Sequence, residues 1–211
     1  MKTVTIIDYG MSNLRSVSKA LEHVAERDWC VVVSNQAEAI LHADKIVFPG
    51  QGAIGQCMTL LHQTGLAPLI KQALETKPFL GICLGLQSLL TLSEENGGTA
   101  GFNVITGTVR RFNEIDRHSG ERLKIPHMGW NHVLPTQAHP LWNGISQENW
   151  FYFVHSYYVD PEDVNVVAGA TTYGSHGFTS VIAKNNIFAV QFHPEKSQHT
   201  GLKLLRNFLD W

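Results

Sequence analysis

The sequence has too little of several things to fit whole classes of protein. Its three cysteines, at positions 30, 57 and 83, are odd in number and too sparse for the disulfide framework of a small secreted domain, so a reducing compartment is expected. No apolar stretch approaches the roughly 20 residues that cross a bilayer. The apolar run that opens the chain is broken by Asp8 and is too short for a secretory leader. A cytoplasmic location is therefore expected. Net charge is also missing: 16 Lys and Arg against 18 Asp and Glu leave a formal charge of −2, which offers no basic footprint to nucleic acid or to an anionic membrane. Small molecules or other proteins are the expected partners. Internal repeats, low-complexity tracts and linkers rich in Pro, Gly or Ser are absent as well, so residues 1–211 read as one domain, long enough for a sizeable core.

What the chain does have is alternation. Short apolar segments at 4–7, 29–33, 45–48 and 79–82 lack a polar face and read as strands of a parallel sheet covered on both sides. Between them run helical patterns. Leu14, Val17, Leu21 and Val24 share one face of a helix that Ser12 or Asn13 can cap, and further helices are expected at 37–42, 54–61 and 66–74. In the second half glycine and aromatics become more frequent, with strands expected at 104–112, 150–154, 166–170, 179–183 and 187–191 in a mixed or antiparallel arrangement. A last helix places Leu202, Leu205, Phe208 and Leu209 on one stripe. The expected fold is α/β, a central, mostly parallel sheet flanked by helices with an antiparallel extension.

The stretch 77–90, Lys-Pro-Phe-Leu-Gly-Ile-Cys-Leu-Gly-Leu-Gln-Ser-Leu-Leu, changes period at Cys83. Pro78 opens a compact apolar strand, and Leu86, Leu89, Leu90 and Leu92 fall near one face of a following helix. Gly81 and Gly85 leave room on both sides of the cysteine, as a strained elbow requires if a nucleophile is to stand above the edge of a parallel sheet. A thiol there meets the free N–H groups that start a helix, a setting in which cysteines act as nucleophiles. A free cysteine among apolar neighbours is also commonly inert packing, so the elbow needs a base. His193, in Gln191-Phe192-His193-Pro194-Glu195-Lys196, supplies one. Pro194 holds His193 out of the helical region, and in an extended segment residues two apart share a side, which sets Glu195 beside the imidazole. The order cysteine, histidine, acid differs from that of the α/β-hydrolases, where the acid precedes the histidine. Oxyanion donors are expected from the backbone N–H of Leu84 and from the loop Gly50-Gln51-Gly52 that ends the neighbouring strand.

Gly81-x-Cys83-x-Gly85-x-Gln87 and His193-x-Glu195 together resemble the class I, or triad, glutamine amidotransferases, with both motifs in the right order and about 110 residues between them. Members of that family hydrolyse glutamine through a cysteine thioester and hand ammonia to a synthase. Four further segments are similar to the glutaminase subunits of imidazole glycerol phosphate synthases: Asp8-Tyr9-Gly10-Met11-Ser12-Asn13-Leu14, Pro126-His127-Met128-Gly129-Trp130-Asn131, Tyr152-Phe153-Val154-His155-Ser156-Tyr157 and His193-Pro194-Glu195-Lys196-Ser197. The resemblance covers residues 6–208. It implies Cys83 as nucleophile, His193 as general base and acid, and Glu195 as the orienting carboxylate. It also implies that Gln87 and Glu95 bind the polar groups of glutamine and that the backbone around Ser156 and Tyr157 takes the α-carboxylate. Gln51 and Gly52 would give the second oxyanion donor, beside Leu84. Asn13, Trp130, Tyr152 and Lys196 would ring the face that docks on a (β/α)8 barrel cyclase, the implied partner in a heterodimer.

Two positions depart from the family pattern: Gln51 replaces a common valine, and Ser12 a common glycine. No metal or organic cofactor is implied. The implied activity is glutamine hydrolysis with ammonia channelled to the cyclase in histidine biosynthesis, because ammonia released into neutral water is mostly ammonium, which is not nucleophilic. Docking or ligand binding would then complete the oxyanion hole at 50–52. Three other readings stay open at this level: a class I glutaminase serving another synthase, a catalytically silent scaffold subunit, and a free-standing cysteine hydrolase, which has no use for the segment 126–131.

Overall fold

The computed structural model describes residues 1–11, 13–116, 118–146 and 149–211. In chain order its first half runs β1 (Lys2–Ile7), α1 (Leu14–Val24), β2 (Trp29–Ser34), α2 (Ala37–Leu41), β3 (Lys45–Gly50), α3 (Ile54–Gln63), α4 (Leu66–Thr76), β4 (Phe79–Cys83) and α5 (Leu84–Gln87). The second half is mostly strand: β5 (Leu90–Ser93), β6 (Thr99–Ala100), β7 (Ile105–Arg111), β8 (His127–His132), β9 (Leu134–Pro135), β10 (Trp150–His155), β11 (Tyr157–Pro161), β12 (Val167–Tyr173), β13 (His176–Lys184) and β14 (Ile187–Val190). The helix α6 (Gln198–Asp210) closes the chain.

Among the described residues the main sheet follows the path β2-β1-β3-β4-β14-β13-β11-β7-β5-β6, with β12 added on β13 and β9 on β12, while β8 and β10 form a separate two-stranded ribbon. The run β2-β1-β3-β4-β14 is parallel throughout. Its inner strands are apolar on both faces because both are covered, whereas the edge strand β2 is only partly buried and leaves Val33 42 % exposed. Phe48 and Phe79 pack with Ile40, Leu61 and Ile70 of α2, α3 and α4 on one side. Val47, Leu80 and Phe188 pack with Val17 and Leu21 of α1 and with Leu204, Leu205 and Phe208 of α6 on the other. All of these side chains are 0–2 % exposed, a burial that stabilises the fold by about 1.5–3 kcal/mol for each large apolar group. Beyond β14 the pairing turns antiparallel through β13, β11 and β7.

The main departure from the sequence reading comes just after Cys83. The leucines at 86, 89, 90 and 92 read as one helix face, but α5 stops at Gln87 and β5 begins at Leu90. The carbonyls of Ser88, Leu89, Leu90 and Thr91 accept N–H groups of residues 101–105 at 2.7 to 3.2 Å. The crossing chain takes the acceptors that the next helical turn would have used. It passes so close that a Cβ at Gly101 would lie 2.2 Å from the Leu90 carbonyl oxygen. Leu92 is left 44 % exposed, while Leu86, Leu89 and Leu90 are fully buried. At α1, Asn13 occupies the capping position but makes no side-chain cap, since its φ of −76° and ψ of 64° depart from the extended geometry that turns an N-cap side chain onto the first turn. The expected role of Ser12 lies outside the described residues. No helix among the described residues is long and apolar enough to cross a membrane.

Candidate active site

Parallel register decides which loops meet. Gly50 pairs with Cys83 across β3 and β4, and Val190 pairs with Ile82 across β14 and β4. The segments leaving these strands therefore emerge side by side at the carboxyl edge of the sheet, carrying Gln51 and Gly52, then Cys83 and Leu84, then Gln191 and His193. A cavity of about 780 Å³ opens at this edge. Its wall includes Gln51, Gly52, Cys83, Leu84, Gln87, Glu95, Ser156, Tyr157 and His193, all expected at a site, together with Gly10, Met11, Pro126, Val154 and His155, which were not.

Cys83 has φ 55° and ψ −103°, a conformation L side chains rarely adopt, and it is 7 % exposed. Gly85 makes that elbow possible: a Cβ there would lie 2.0 Å from the carbonyl oxygen of Phe48. The Cys83 sulfur accepts a hydrogen bond from Gln191 Nε2 at 3.5 Å. His193 Nδ1 lies 2.8 Å from Glu195 Oε1, with both side chains buried. The route to that pair differs from expectation. His193 is extended, but Pro194–Lys196 is a single 3₁₀ turn, closed by the Lys196 N–H donating to the His193 carbonyl at 3.0 Å, and the turn swings Glu195 back onto the ring. The His193 N–H donates to the Tyr152 carbonyl at 2.9 Å.

His193 Nε2 is buried and has no hydrogen-bond partner among the described residues, so it is the ring nitrogen left for chemistry. Burial alone pushes the imidazolium down; the neighbouring Cys83 sulfur and then the Glu195 carboxylate outweigh it and raise His193 to about 10. Gln87 Nε2 donates both to the Tyr157 carbonyl and to Gln191 Oε1, each at 3.1 Å. With both N–H groups engaged, Gln87 presents its amide oxygen to the cavity. Glu95 lines the cavity, yet its Oε2 also accepts the Ile54 N–H at 2.8 Å and satisfies the first turn of α3. Gln51 and Gly52 form an exposed loop in which Gly52 has φ 89°.

The sequence matches the profile described as Glutamine amidotransferase class-I over residues 5–211. The chain belongs to that family. It is 52 % identical over 210 residues to the Imidazole glycerol phosphate synthase subunit HisH of Hydrogenovibrio crunogenus, covering 100 % of this chain and 97 % of that protein. It is 53 % identical over 211 residues to the protein of the same name from Nitrosococcus oceani, covering 100 % of this chain and 98 % of that one. Two solved structures from Thermotoga maritima share the fold. PurLQS has a TM-score of 0.70 at 18 % identity, covering 99 % of this chain and 98 % of that one. A glutamine amidotransferase has a TM-score of 0.66 at 15 % identity, covering 99 % and 96 %.

In this class-I amidotransferase the four residues expected at a partner face lie outside the cavity. Trp130 and Tyr152 pair across β8 and β10 with ring centres 6.0 Å apart, and Lys196 Nζ stands 5.9 Å over the Tyr152 ring. They form an edge-on surface cluster and not core, with Trp130 42 % exposed. Asn13 is exposed and borders a narrow cleft shared with His193 and Glu195.

Sequence reasoning passed over Gln191 and His155. Gln191 is fully buried, and its only signal is an amide continuing an otherwise apolar strand. His155 lies within a segment already singled out but was given no role. Its Nδ1 donates to the Tyr157 carbonyl at 2.8 Å. Burial pushes His155 down to about 3 and His127 down to about 4, so both are neutral at pH 7. Among the described residues no three His, Cys, Asp or Glu side chains converge as metal ligands would.

Proposed function

We propose that this chain is the glutaminase subunit of an imidazole glycerol phosphate synthase, in which residues 1–211 act as one cytoplasmic domain. It hydrolyses glutamine to glutamate and ammonia and passes the ammonia to a (β/α)8 barrel cyclase for histidine biosynthesis. The observation that carries the reading is Cys83 on a strained elbow in the same cavity as His193, whose Nδ1 is held by Glu195 and whose Nε2 is left open. The full-length likeness to proteins named as subunits of that synthase supports the choice of pathway.

His193 takes the Cys83 proton, and the sulfur attacks the side-chain amide carbon of glutamine. The oxyanion meets the backbone N–H of Leu84 and that of the 51–52 loop. The Glu195 carboxylate still favours the charged imidazole once the sulfur is bonded, so His193 keeps the proton until the C–N bond breaks and then delivers it to the leaving nitrogen, releasing ammonia and a thioester. Water, deprotonated by His193, attacks the thioester, and glutamate leaves as the thiol is restored. The Gln87 amide oxygen and the Glu95 carboxylate would receive the substrate's N–H groups, and the backbone at Ser156 and Tyr157 its carboxylate. Asn13, Trp130, Tyr152 and Lys196 would meet the cyclase, sealing the exit so that ammonia stays neutral and reactive.

The test is the reconstituted complex with Cys83→Ala. Glutamine-dependent synthesis is expected to vanish while ammonium-dependent synthesis survives. Persistence of the glutamine reaction would overturn the mechanism, and wild-type turnover that does not rise with the cyclase and its ribonucleotide substrate would move the chain to another synthase.

A further inference from the structure

Two buried histidines have no part in the chemistry above, yet hydrogen bonds determine the tautomer of each. His127 and His155 pair directly across β8 and β10. The Tyr157 carbonyl can only accept, so His155 donates to it from Nδ1 at 2.8 Å and must accept at Nε2. His127 therefore donates from Nδ1 to His155 Nε2 at 2.9 Å, which leaves its own Nε2 to accept from the Asn131 side-chain amide at 3.2 Å. On the other side, the same Tyr157 carbonyl accepts from Gln87, Gln87 donates to Gln191, and Gln191 donates to the Cys83 sulfur. One run of bonds thus joins Asn131, next to the exposed Trp130, with the elbow. Phe112, Phe153, Tyr173 and Phe178 enclose the two imidazoles. In such apolar surroundings each bond is strengthened and an unpaired member is costly.

We propose that His127 and His155 are positioning residues for the glutamine site. They hold the Tyr157 carbonyl, and through it Gln87 and Gln191, where the Gln87 amide oxygen meets the substrate. This inference rests on the glutaminase reading and goes beyond it in naming what aims the substrate contacts.

The experiment measures glutaminase kinetics in the assembled synthase for His155→Leu, His155→Asn and His127→Phe. It adds the rate of Cys83 alkylation by iodoacetamide and ¹⁵N spectra of the imidazoles. Loss of the donor in His155→Leu, or of the bridge in His127→Phe, is expected to raise KM for glutamine about tenfold, as loss of a buried hydrogen bond does. Alkylation and kcat should stay within about threefold of wild type, because Cys83, His193 and Glu195 are unaltered and the sulfur stands to lose only the long Gln191 contact at 3.5 Å. His155→Asn retains a donor near the Nδ1 position and should recover most of the KM. Both rings should appear as Nδ1–H tautomers.

An unchanged KM in the leucine and phenylalanine variants overturns the inference. So does an asparagine variant as impaired as leucine, or an Nε2–H tautomer at either ring. If His155→Leu does not fold, His127→Phe, whose ring keeps the stacking on Phe153 and Tyr173, and the tautomers decide. A wild-type complex without glutaminase activity would overturn the proposed function instead, and would leave the tautomer measurement standing.

Discussion

His193 holds Glu195 through Nδ1 at 2.8 Å and keeps Nε2 free of other partners, so the carboxylate selects which nitrogen can take a proton from Cys83. Glu195→Gln keeps the shape and removes the charge. Glutaminase kcat is expected to fall about 10²- to 10⁴-fold with the fold retained. An NMR titration of the His193 ring should then show its pKa moved down from about 10. The two-residue spacing made this pair legible in the sequence even though the connecting backbone is a 3₁₀ turn and not extended. Pro194 explains both: it forbids a helical His193 and favours the first position of a short turn. Gln87 was legible as a site residue but not in what it offers, because its two N–H groups are consumed by residues 70 and 104 positions away.

At the scale of elements, the close crossing of β3 and α5 depends on a missing side chain. A Cβ at position 85 would overlap the Phe48 carbonyl, an acceptor on a fully buried strand that cannot retreat. Gly85→Ala is expected to cost about 3 kcal/mol or more and to lower Tm clearly in a thermal melt. Gly52→Ala makes the contrasting case. Only the Met11 methyl lies near its added Cβ, but a φ of 89° strains any L residue, so a local cost of about 1–2 kcal/mol on an exposed loop should slow glutamine hydrolysis while Tm stays near wild type. The strands of the parallel half were readable because unbroken apolar runs admit little else. The end of α5 was not, since it is set by N–H groups from residues 101–105 capturing carbonyls at 88–91.

At the scale of the whole molecule, buried histidines of opposite tendency contribute to the response to pH on both sides of neutrality, and His139, also lowered by burial to about 4, adds to the acid side. His127 and His155 are held neutral, with values pushed by burial to about 4 and about 3, so their contribution is complete above the ordinary value of 6.5 and is lost as pH falls toward 4. His193 is raised, so its contribution is complete below 6.5 and is lost as pH rises toward 10. The urea midpoint is therefore expected to be highest near neutral pH and to fall on both sides, with a shallower acid limb in His127→Phe. The partner face belongs to this scale too. Met128, Trp130 and Trp150 are all exposed on the β8-β10 ribbon, and that ribbon is tied to His193 through the Tyr152 carbonyl. Trp130→Ala should reduce cyclase-dependent stimulation of the glutaminase about tenfold, as loss of an aromatic anchor does, with Cys83 alkylation unchanged. Equal loss of both would make the tryptophan structural.

By itself the sequence determined the alternation of strands and helices, the elbow at Cys83 and the partnership of His193 with Glu195, since each depends on the spacing of a few neighbouring residues. Only the tertiary structure decided where the helix after Cys83 ends, that Gln191 reaches the sulfur, that Gln87 presents its oxygen, and that His155, on the cavity wall, joins His127 to the Tyr157 carbonyl. Each of these is a choice of hydrogen-bond partner made far along the chain, and a polar group carries no local mark of which distant acceptor will satisfy it once both are buried.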